Sequence, residues 1–384
     1  MRILMLVEGY NALGGIAEIV QSLALQLKHA GHTVAVVSTH DPRAGASGYE
    51  RSPDPGVECI YHEIWNRKPI GLRHLETLVR IPWYARFGGL AHVLRAWQPD
   101  VVNSHLWAWD RYPTVVSACR GARVPLVQSF HVTDERGRGR LGERGLLALE
   151  RSAAIITGSA ATRDFFSNRL AAARRAHVII GGVDAISAVN TAPYRAARPY
   201  LFCACRFNLE HKALDLLIKA FQVVAKDFTE IDLLIAGGGP DLSRVEQLAK
   251  SSGCEERIHL LGVKSRDELR ALHRGATMFV LPSRPGECMP LVYLEAMAAG
   301  TPVIGTDTGG AREVIHSGVN GYLLPPEDVD GTIGAIRRLL ANERMRTEMG
   351  AAGQRLVAAN YTWEKCAAGY LDVYQACLRS GRSR

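Results

Sequence analysis

The sequence predicts an α/β protein of two domains, each built on a parallel β-sheet with helices on both faces. Three observations predict this class. Short apolar runs rich in β-branched residues alternate with helical segments almost throughout. The alternation stops over residues 185–199 and then starts again. A chain of 384 residues, 47% of them hydrophobic, is large enough for two hydrophobic cores.

The first domain is predicted to span residues 1–184. Its opening apolar run, Met1–Val7, is too short for a signal peptide and is typical of a buried strand. A polar loop is expected at Pro42–Pro55 and a basic helical stretch at Leu72–Trp97. The predicted strands are Ile3–Val7, Thr33–Ser38, Val101–Ser104, Leu126–Ser129, Ala154–Thr157 and Val178–Ile180. Helices are predicted at Ile16–Ala30, at Tyr112–Arg120 and from Ala160 onward.

Residues 185–199 lack hydrophobic periodicity and contain two prolines, so they are predicted to be a linker. The second domain is predicted at 200–360, and a C-terminal helix at 361–384. The predicted strands are Tyr200–Cys205, Ile231–Ala236, Ile258–Leu260, Met278–Leu281 and Val303–Gly305. Helices are predicted at Ala213–Asp227, after Pro240, at Arg266–Arg274, at Leu291–Ala299 and through most of the chain after Asp328.

The composition and charge argue against a nucleic-acid-binding, zinc-binding or membrane-spanning protein. The net charge is +8, mostly from arginine, but no nucleic-acid-binding motif accompanies it. Genome composition alone explains such arginine usage; attraction to anionic donors, phosphorylated acceptors or a membrane surface is the alternative. The eight cysteines are scattered without zinc spacing, which favours a reducing cytoplasm. No apolar segment is long enough to span a bilayer, so at most peripheral membrane contact is expected.

The most informative segment places two carboxylates, Glu287 and Glu295, on a loop and on the helix after it. Pro290 suits the first position of that helix, where its missing N–H is not needed. A helix N-terminus offers free N–H groups and a partial positive charge to a phosphate. Carboxylates beside a bound diphosphate would hydrogen-bond sugar hydroxyls, although surface charge is the commoner role of a glutamate. Local chemistry therefore favours a nucleotide-sugar site.

Two cations are expected at the same edge of the second sheet. Arg206 follows the first strand of this domain, and Lys212 opens the next helix. Both would face a cleft between the domains, where they could neutralise a departing diphosphate. In the first domain, Gly14 and Gly15 stand between the first strand and helix, where glycines allow close approach to a phosphate. A plain tight turn explains that pair equally well.

Two histidines follow strands of the first domain. His131 lies in Gln128-Ser-Phe-His-Val-Thr-Asp134, and His105 lies in Asn103-Ser-His-Leu-Trp107. A lone histidine is more often structural than catalytic. Two at the carboxyl ends of strands are better candidates for a functional site, because that edge lines the cleft.

These residues together resemble a known family. The segment from Phe279 to Leu324, with its Glu-x7-Glu spacing, Glu295-Ala-Met-Ala-Ala-Gly-Thr-Pro-Val303 and Gly309-Gly310, resembles the donor site of retaining glycosyltransferase family 4. Arg206-Phe-Asn-Leu-Glu-His-Lys212 resembles the family's Arg-x5-Lys motif. Ala213 departs from it, since glycine is typical there, and its methyl group is expected to shift the loop slightly. The resemblance covers nearly the whole chain and is thin over residues 41–98.

The resemblance implies the GT-B architecture: two Rossmann-like parallel-sheet domains face each other across a cleft, and the last helix crosses back to the first domain. It implies catalytic roles for Glu287, His131, Arg206 and Lys212, with His105 on the acceptor side. Neither a metal nor a cofactor is expected. The residues implied in donor binding are Gly14, Gly15, Arg206, Lys212, Glu287, Met289, Pro290, Leu291 and Glu295.

The implied function is retaining, metal-independent transfer of a sugar from a nucleotide-diphosphate donor to a hydroxyl. Family frequencies favour a UDP-sugar, with GDP-mannose second. The expected acceptor is a saccharide or lipid-linked chain of the cell envelope or an exopolysaccharide, and a small-molecule acceptor is the alternative. Two other functions stay open: a GT-B-type nucleotide-sugar epimerase and a non-catalytic nucleotide-sugar binding protein.

Overall fold

The computed structural model describes residues 1–7, 15–38, 58–61, 89–106, 112–131 and 149–382. Three predictions fall wholly or mostly outside these residues. They concern Gly14, the polar loop at 42–55 and most of the basic helical stretch at 72–97.

The first domain contains a seven-stranded sheet in the order β3-β2-β1-β4-β5-β6-β7, and every pairing in it is parallel. The central strands are buried on both faces, as expected for a parallel sheet covered by helices. The strands are β1 Arg2–Val7, β2 Thr33–Ser38, β3 Glu58–Tyr61, β4 Val101–Ser104, β5 Leu126–Phe130, β6 Ala154–Thr157 and β7 His177–Val178. The described helices are α1 Gly15–His29, α2 Gly89–Trp97, α3 Tyr112–Gly121 and α4 Ala160–Ser167, with a 3₁₀ turn at Ala171–Arg175.

The second domain contains a six-stranded parallel sheet in the order β10-β9-β8-β11-β12-β13. Its strands are β8 Tyr200–Arg206, β9 Asp232–Gly238, β10 Ile258–Gly262, β11 Met278–Leu281, β12 Val303–Thr306 and β13 Gly321–Leu324. Its helices, with the one that precedes β8, are α5 Ala185–Asn190, α6 Leu209–Lys212, α7 Leu214–Asp227, α8 Leu242–Lys250, α9 Arg266–Gly275, α10 Leu291–Ala298, α11 Ala311–Val314, α12 Val329–Ala341 and α13 Glu343–Asn360. A 3₁₀ turn at Glu255–Arg257 precedes β10.

The predicted linker is partly helical. Helix α5 occupies its first six residues, and the Asp184 carboxylate caps it by accepting the N–H of Ser187 at 2.9 Å. The helix packs against α9, α10 and α13 of the second domain. A helix this short lacks a readable hydrophobic period, which is why the sequence pattern missed it. Strands β3 and β13 were also not predicted, because they begin with glutamate and glycine, two residues that are uncommon in strands.

The C-terminal helix, α14 Trp363–Arg382, returns to the first domain and packs against α1. Trp363, Tyr370 and Tyr374 of this helix are buried in a hydrophobic core that also contains residues of both sheets. A second core lies on the other face of the first sheet. The GT-B architecture expected from the sequence is therefore present, including the returning helix.

Helix α2 is the described end of the basic helical stretch. Its apolar residues Leu90, Val93 and Leu94 are buried in the second core, and Trp97 is buried beneath the Arg2 guanidinium, which lies 4.4 Å from the ring centroid. This part of the stretch is thus a packing helix. Among the described residues, no helix combines the length and the apolarity that a membrane span requires.

Strand order reverses once in each sheet, between β1 and β4 and between β8 and β11. In doubly wound sheets, ligands bind at the carboxyl ends of the strands where the order reverses. Those edges lie after Val7, Ser104, Arg206 and Leu281. A ligand is therefore expected to bind at the loops that follow these four residues.

Candidate functional site

Arg206 ends β8 at the carboxyl edge of the second sheet and is exposed. Within the described part of the chain, its side chain makes no hydrogen bond or ion pair. The β8 edge is packed tightly against the glycine turn after β9. A Cβ on Gly237 would lie 1.9 Å from the Cys205 carbonyl oxygen, and one on Gly239 would lie 2.5 Å from that of Phe207. Only glycine permits these approaches, so the Gly237–Gly239 turn fixes the backbone that carries Arg206.

Lys212 and Glu287 meet at this edge. Lys212 is the last residue of α6, and its Nζ lies 2.8 Å from Glu287 Oε1 on the loop after β11. Their side chains are 16% and 21% exposed, so the pair is partly shielded but open to a ligand. The two charges come from loops that follow adjacent strands, β8 and β11. The structure thus joins two residues that are distant in sequence and were each predicted to contact the donor.

The Gly309-Gly310 pair supports the loop that carries Glu287. Gly309 has a φ of 53°, and a Cβ there would lie 2.0 Å from the Glu287 carbonyl oxygen. Gly310 donates its N–H to the Cys288 carbonyl oxygen at 2.6 Å. A side chain at position 309 would displace the backbone of Glu287, which explains why two glycines stand there.

Helix α10 begins at Leu291, as predicted, and Pro290 directly precedes it instead of occupying its first position. Pro290 is the N-cap residue, with extended backbone, and Leu291 is the first helical residue. The Pro290 carbonyl oxygen accepts a hydrogen bond from the N–H of Tyr293 at 3.2 Å. The N–H groups of Leu291 and Val292 make no backbone hydrogen bond within the described residues. Together with the preceding Met289, they form the type of N-terminus that can bind an anion.

Glu295 lies one turn inside α10 and is 33% exposed. Its Oε2 is 3.6 Å from Nε2 of His273, a buried histidine of α9 that was not singled out in the sequence. Neither ring nitrogen of His273 has a hydrogen-bond partner among the described residues. Glu295 therefore faces α9, the helix that follows β10, and keeps part of its carboxylate available to a ligand.

Ala213 occupies a left-handed backbone conformation, with φ 44° and ψ 40°, between α6 and α7. The expectation that its methyl group shifts the loop stays a prediction. The left-handed region favours glycine, and Ala213 bears a cost of about 1 kcal/mol for adopting it. Because the residue is fully buried, surrounding packing imposes that conformation.

The two histidines of the first domain contact each other. His105 Nδ1 lies 2.8 Å from His131 Nε2, and His105 Nε2 lies 2.7 Å from Asn103 Oδ1. Burial lowers the pKa of His131 to about 4. Burial, with His131 as a second cause, lowers the pKa of His105 well below its usual value. Both rings are therefore neutral at pH 7.

His131 is partly exposed just beyond β5, as expected for a residue that lines the cleft. His105, in contrast, is 0% exposed. The expectation that it contacts the acceptor is corrected, because its ring nitrogens are occupied by His131 and Asn103. Gly15 begins α1 at the cleft edge of the same domain.

Among the described residues, sequence reasoning missed the contacts between the carboxyl edges of the two domains, and two of them involve polar side chains. At the first, Thr162 donates its hydroxyl to Cys288 Sγ at 3.0 Å, and Ala160 donates its N–H to Glu313 Oε1 at 2.8 Å. At the second, Arg266 of α9 forms an ion pair with Glu18 of α1 at 2.7 Å. Side-chain identity alone does not reveal such partners, since each pair joins residues more than a hundred positions apart.

Cys288 is buried at the first of these contacts. Burial raises the pKa of its thiol to about 11, so it stays protonated at neutral pH. The residue directly after Glu287 is thus packed against Thr162 of the first domain. The position of Glu287 consequently depends on how the two domains meet.

Metal binding has no evident site in this part of the structure. Among the described residues, no group of three or more His, Cys, Asp or Glu side chains is arranged to hold a metal ion. Metal-independent chemistry stays a prediction.

Two family models match the chain in sequence. Residues 13–186 match the model described as "Glycosyltransferase Family 4", and residues 194–356 match "Glycosyl transferases group 1". The chain belongs to glycosyltransferase family 4. The two matches fall on the two sheet domains, and the α5 segment lies at their junction.

Curated relatives of this glycosyltransferase include mannosyltransferases. It is 27% identical to phosphatidyl-myo-inositol mannosyltransferase of Mycobacterium leprae over 97% of its own length and 96% of that protein. It is 33% identical to the GDP-mannose-dependent alpha-(1-6)-phosphatidylinositol monomannoside mannosyltransferase of Mycobacterium tuberculosis, over 46% of its length and 47% of that protein.

Solved structures show the same fold. Anabaena HepE in complex with UDP matches this glycosyltransferase with a TM-score of 0.76, covering 98% of the chain and 100% of that chain at 18% identity. The match extends over both domains and the returning helix, so the GT-B architecture is shared along the whole chain.

Proposed function

We propose that this glycosyltransferase transfers a sugar from a nucleotide-diphosphate donor to a hydroxyl acceptor with retention of anomeric configuration and without a metal. The observation that carries the proposal is the Lys212–Glu287 pair, 2.8 Å apart at the start of α10. It puts a cation for the diphosphate and a carboxylate for the sugar side by side. The family membership supports the reaction class, and the geometry supports this assignment of roles.

The diphosphate would lie at the N-terminus of α10. The free N–H groups of Leu291 and Val292 would donate to its oxygens, and Arg206 and Lys212 would neutralise the charge that grows as it leaves. Those cations and the helix dipole take the role that a metal has in other transferases. Glu295, one turn further along α10, would accept hydrogen bonds from the ribose hydroxyls.

The chemical step would proceed on one face of the sugar. The acceptor oxygen bonds to the anomeric carbon, the bond from that carbon to the diphosphate oxygen breaks, and the acceptor proton passes to the departing phosphate. Glu287 and His131 would hold the sugar hydroxyls during this exchange. Closure of the two domains over the donor would exclude water and limit hydrolysis.

Two donors are supported by similar proteins. HepE was solved with UDP, which favours a UDP-sugar. Relatives with higher sequence identity are named as GDP-mannose-dependent, which favours GDP-mannose. The hydrogen-bonding edge of the base decides between them, and both donors present the same diphosphate and ribose to Lys212 and Glu295.

The proposed acceptor is a lipid-linked or saccharide intermediate of the cell envelope or of an exopolysaccharide. Relatives are named for phosphatidylinositol acceptors, which consist of a polyol at a membrane surface. A net charge of +8 would favour peripheral association with anionic lipid on the cytoplasmic side. A small-molecule acceptor stays the alternative.

A thermal-shift panel tests the donor assignment first. The protein is heated with UDP, GDP, ADP, dTDP, UDP-glucose and GDP-mannose, each with and without EDTA. A ligand that binds only the native protein raises the apparent Tm. We expect one nucleotide to stand out and EDTA to leave its shift unchanged. A shift abolished by EDTA would refute metal independence, and no shift with any nucleotide would refute the donor site.

A transfer assay with the donor so identified then tests the reaction. Phosphatidylinositol vesicles and a set of soluble saccharides serve as acceptors, and NMR coupling constants give the anomeric configuration of the product. An α-linked product from an α-linked donor is the expected result. Conversion of the donor to its epimer without any acceptor would support the epimerase alternative.

A further inference from the structure

The C-terminal helix is connected to His131 by a chain of buried hydrogen bonds. Tyr374 of α14 donates its hydroxyl to Asn103 Oδ1 at 2.7 Å. The same oxygen lies 2.7 Å from His105 Nε2, and His105 Nδ1 lies 2.8 Å from His131 Nε2. Asn103, His105 and Tyr374 are each 0% exposed, so water does not compete for these bonds.

The orientation of the Asn103 amide follows from its other partners. Its Nδ2 lies 3.2 Å from the Val127 carbonyl oxygen and 2.9 Å from Ser129 Oγ. A backbone carbonyl can only accept a hydrogen bond, so the atom facing it must be the nitrogen. The amide oxygen therefore points toward His105 and Tyr374 and acts there as an acceptor.

The direction of every remaining hydrogen bond then follows. Because Asn103 Oδ1 only accepts, His105 must carry its proton on Nε2. A neutral His105 has no proton on Nδ1, so this nitrogen accepts from His131 Nε2. His131 in turn carries its proton on Nε2, and its Nδ1 bears a lone pair. The assignment rests on the hydrogen-bond partners rather than on observed hydrogens.

We propose that His105, oriented by Asn103 and by Tyr374 of the returning helix, is a positioning residue that holds His131 as a hydrogen-bond acceptor toward the donor sugar. This inference rests on the proposed function and adds a chemical requirement to it. Nδ1 of His131 has no partner among the described residues, and the side chain is partly exposed beyond β5. Its ligand must donate a hydrogen bond. A sugar hydroxyl meets that requirement, and an ionised phosphate does not.

Two substitutions of His105 separate this role from packing. Glutamine offers the same polarity, since its amide nitrogen can donate to Asn103 Oδ1 while its amide oxygen accepts from His131 Nε2. Phenylalanine fills the space and offers neither group. We expect His105→Phe to lower kcat by up to about a hundredfold, the scale of loss from a misplaced group, with the KM for the donor changing far less. His105→Gln should recover most of that loss.

The direct test is the ring ¹⁵N NMR spectrum of protein labelled at histidine, recorded at pH 7 without donor or acceptor. The chain has 13 histidines, so His131→Asn and His105→Asn spectra assign the two signals. We expect both rings in the Nε2–H tautomer, with His131 unchanged in His105→Gln and shifted toward a tautomer mixture in His105→Phe. Thermal unfolding confirms that each variant is folded.

Three results would overturn the inference. The first is a His131 ring protonated on Nδ1, or on both nitrogens, in the wild-type protein. The second is an unchanged His131 tautomer in folded His105→Phe. The third is a kcat for His105→Phe equal to that of the wild type. The NMR result does not depend on transfer, so a failure of the proposed function, seen as no product with any donor, is distinguishable from each of these.

Discussion

Lys212 Nζ and Glu287 Oε1 lie 2.8 Å apart, so the cation assigned to the diphosphate and the carboxylate assigned to the sugar meet at one point. In a nucleotide sugar, the bond that breaks lies between those two parts of the molecule. Substitution of either residue should therefore act on the chemical step more than on overall donor affinity.

Glu287→Gln should lower kcat by roughly two to four orders of magnitude, the scale seen when a positioned polar group is lost. Glutamine keeps the shape of the side chain but removes the charge that pairs with Lys212. Transfer of radiolabelled sugar at saturating donor measures the effect. Glu348→Gln, at a surface ion pair with Arg344, is the matched control and should retain full activity. Near-normal turnover of Glu287→Gln would remove this residue from the site.

Glu295→Ala should mainly weaken nucleotide binding. Loss of the hydrogen bonds that the ribose hydroxyls donate to the carboxylate corresponds to about a tenfold to hundredfold rise in Kd. Calorimetric titration of the free nucleotide measures this change, and Glu295→Gln should lose less because one oxygen acceptor remains. A large fall in kcat at unchanged nucleotide affinity would contradict the ribose assignment.

Ala213→Gly should raise the free energy of unfolding by about 0.5–1 kcal/mol. Glycine removes the left-handed strain at φ 44°, although its more flexible unfolded chain offsets part of the gain. Urea unfolding with a constant m-value measures the change. A less stable variant would show that packing of the buried methyl group outweighs the backbone strain.

Glu313→Gln should raise the Tm at pH 7, and the gain should shrink as the solution is acidified. Burial raises the pKa of the Glu313 carboxyl in spite of the N–H groups of Ala160 and Ala161 that donate to it. A carboxyl whose pKa is higher in the folded state than in the unfolded state destabilises the fold when ionised. That cost shrinks as the pH falls below the raised pKa and is gone once the pH is below the pKa of the unfolded state.

Thermal unfolding of wild type and Glu313→Gln from pH 3 to pH 8 tests this sign. The exposed substitution Glu348→Gln corrects for the general effect of removing one acidic group. A Glu313→Gln variant that is less stable than the wild type at pH 7, with a deficit that disappears in acid, would mean that ionised Glu313 stabilises the contact between the domains.

The fold class followed from sequence alone, because parallel strands buried on both faces appear as short apolar runs that local periodicity detects. Sequence also placed Arg206 and His131 directly after strands, and Lys212 and Glu287 close to the starts of the helices that follow, and the carboxyl ends of parallel strands share one edge. Three elements escaped detection. Helix α5 has only six residues, too few for a helical hydrophobic period, and strands β3 and β13 begin with glutamate and glycine, which are uncommon in strands.

Which residues contact one another became clear only in the folded protein. The local sequence does not show that Lys212 pairs with Glu287 or that Cys288 packs against Thr162. It also does not show that Tyr374 donates a hydrogen bond to Asn103, 271 positions away. The same is true of His105, whose position at a strand end suggested an exposed residue until packing of the returning helix buried it. Hydrogen-bond direction, tautomer and burial depend on neighbouring side chains that the folded chain brings together. Those neighbours are distant in sequence, so the local sequence cannot identify them.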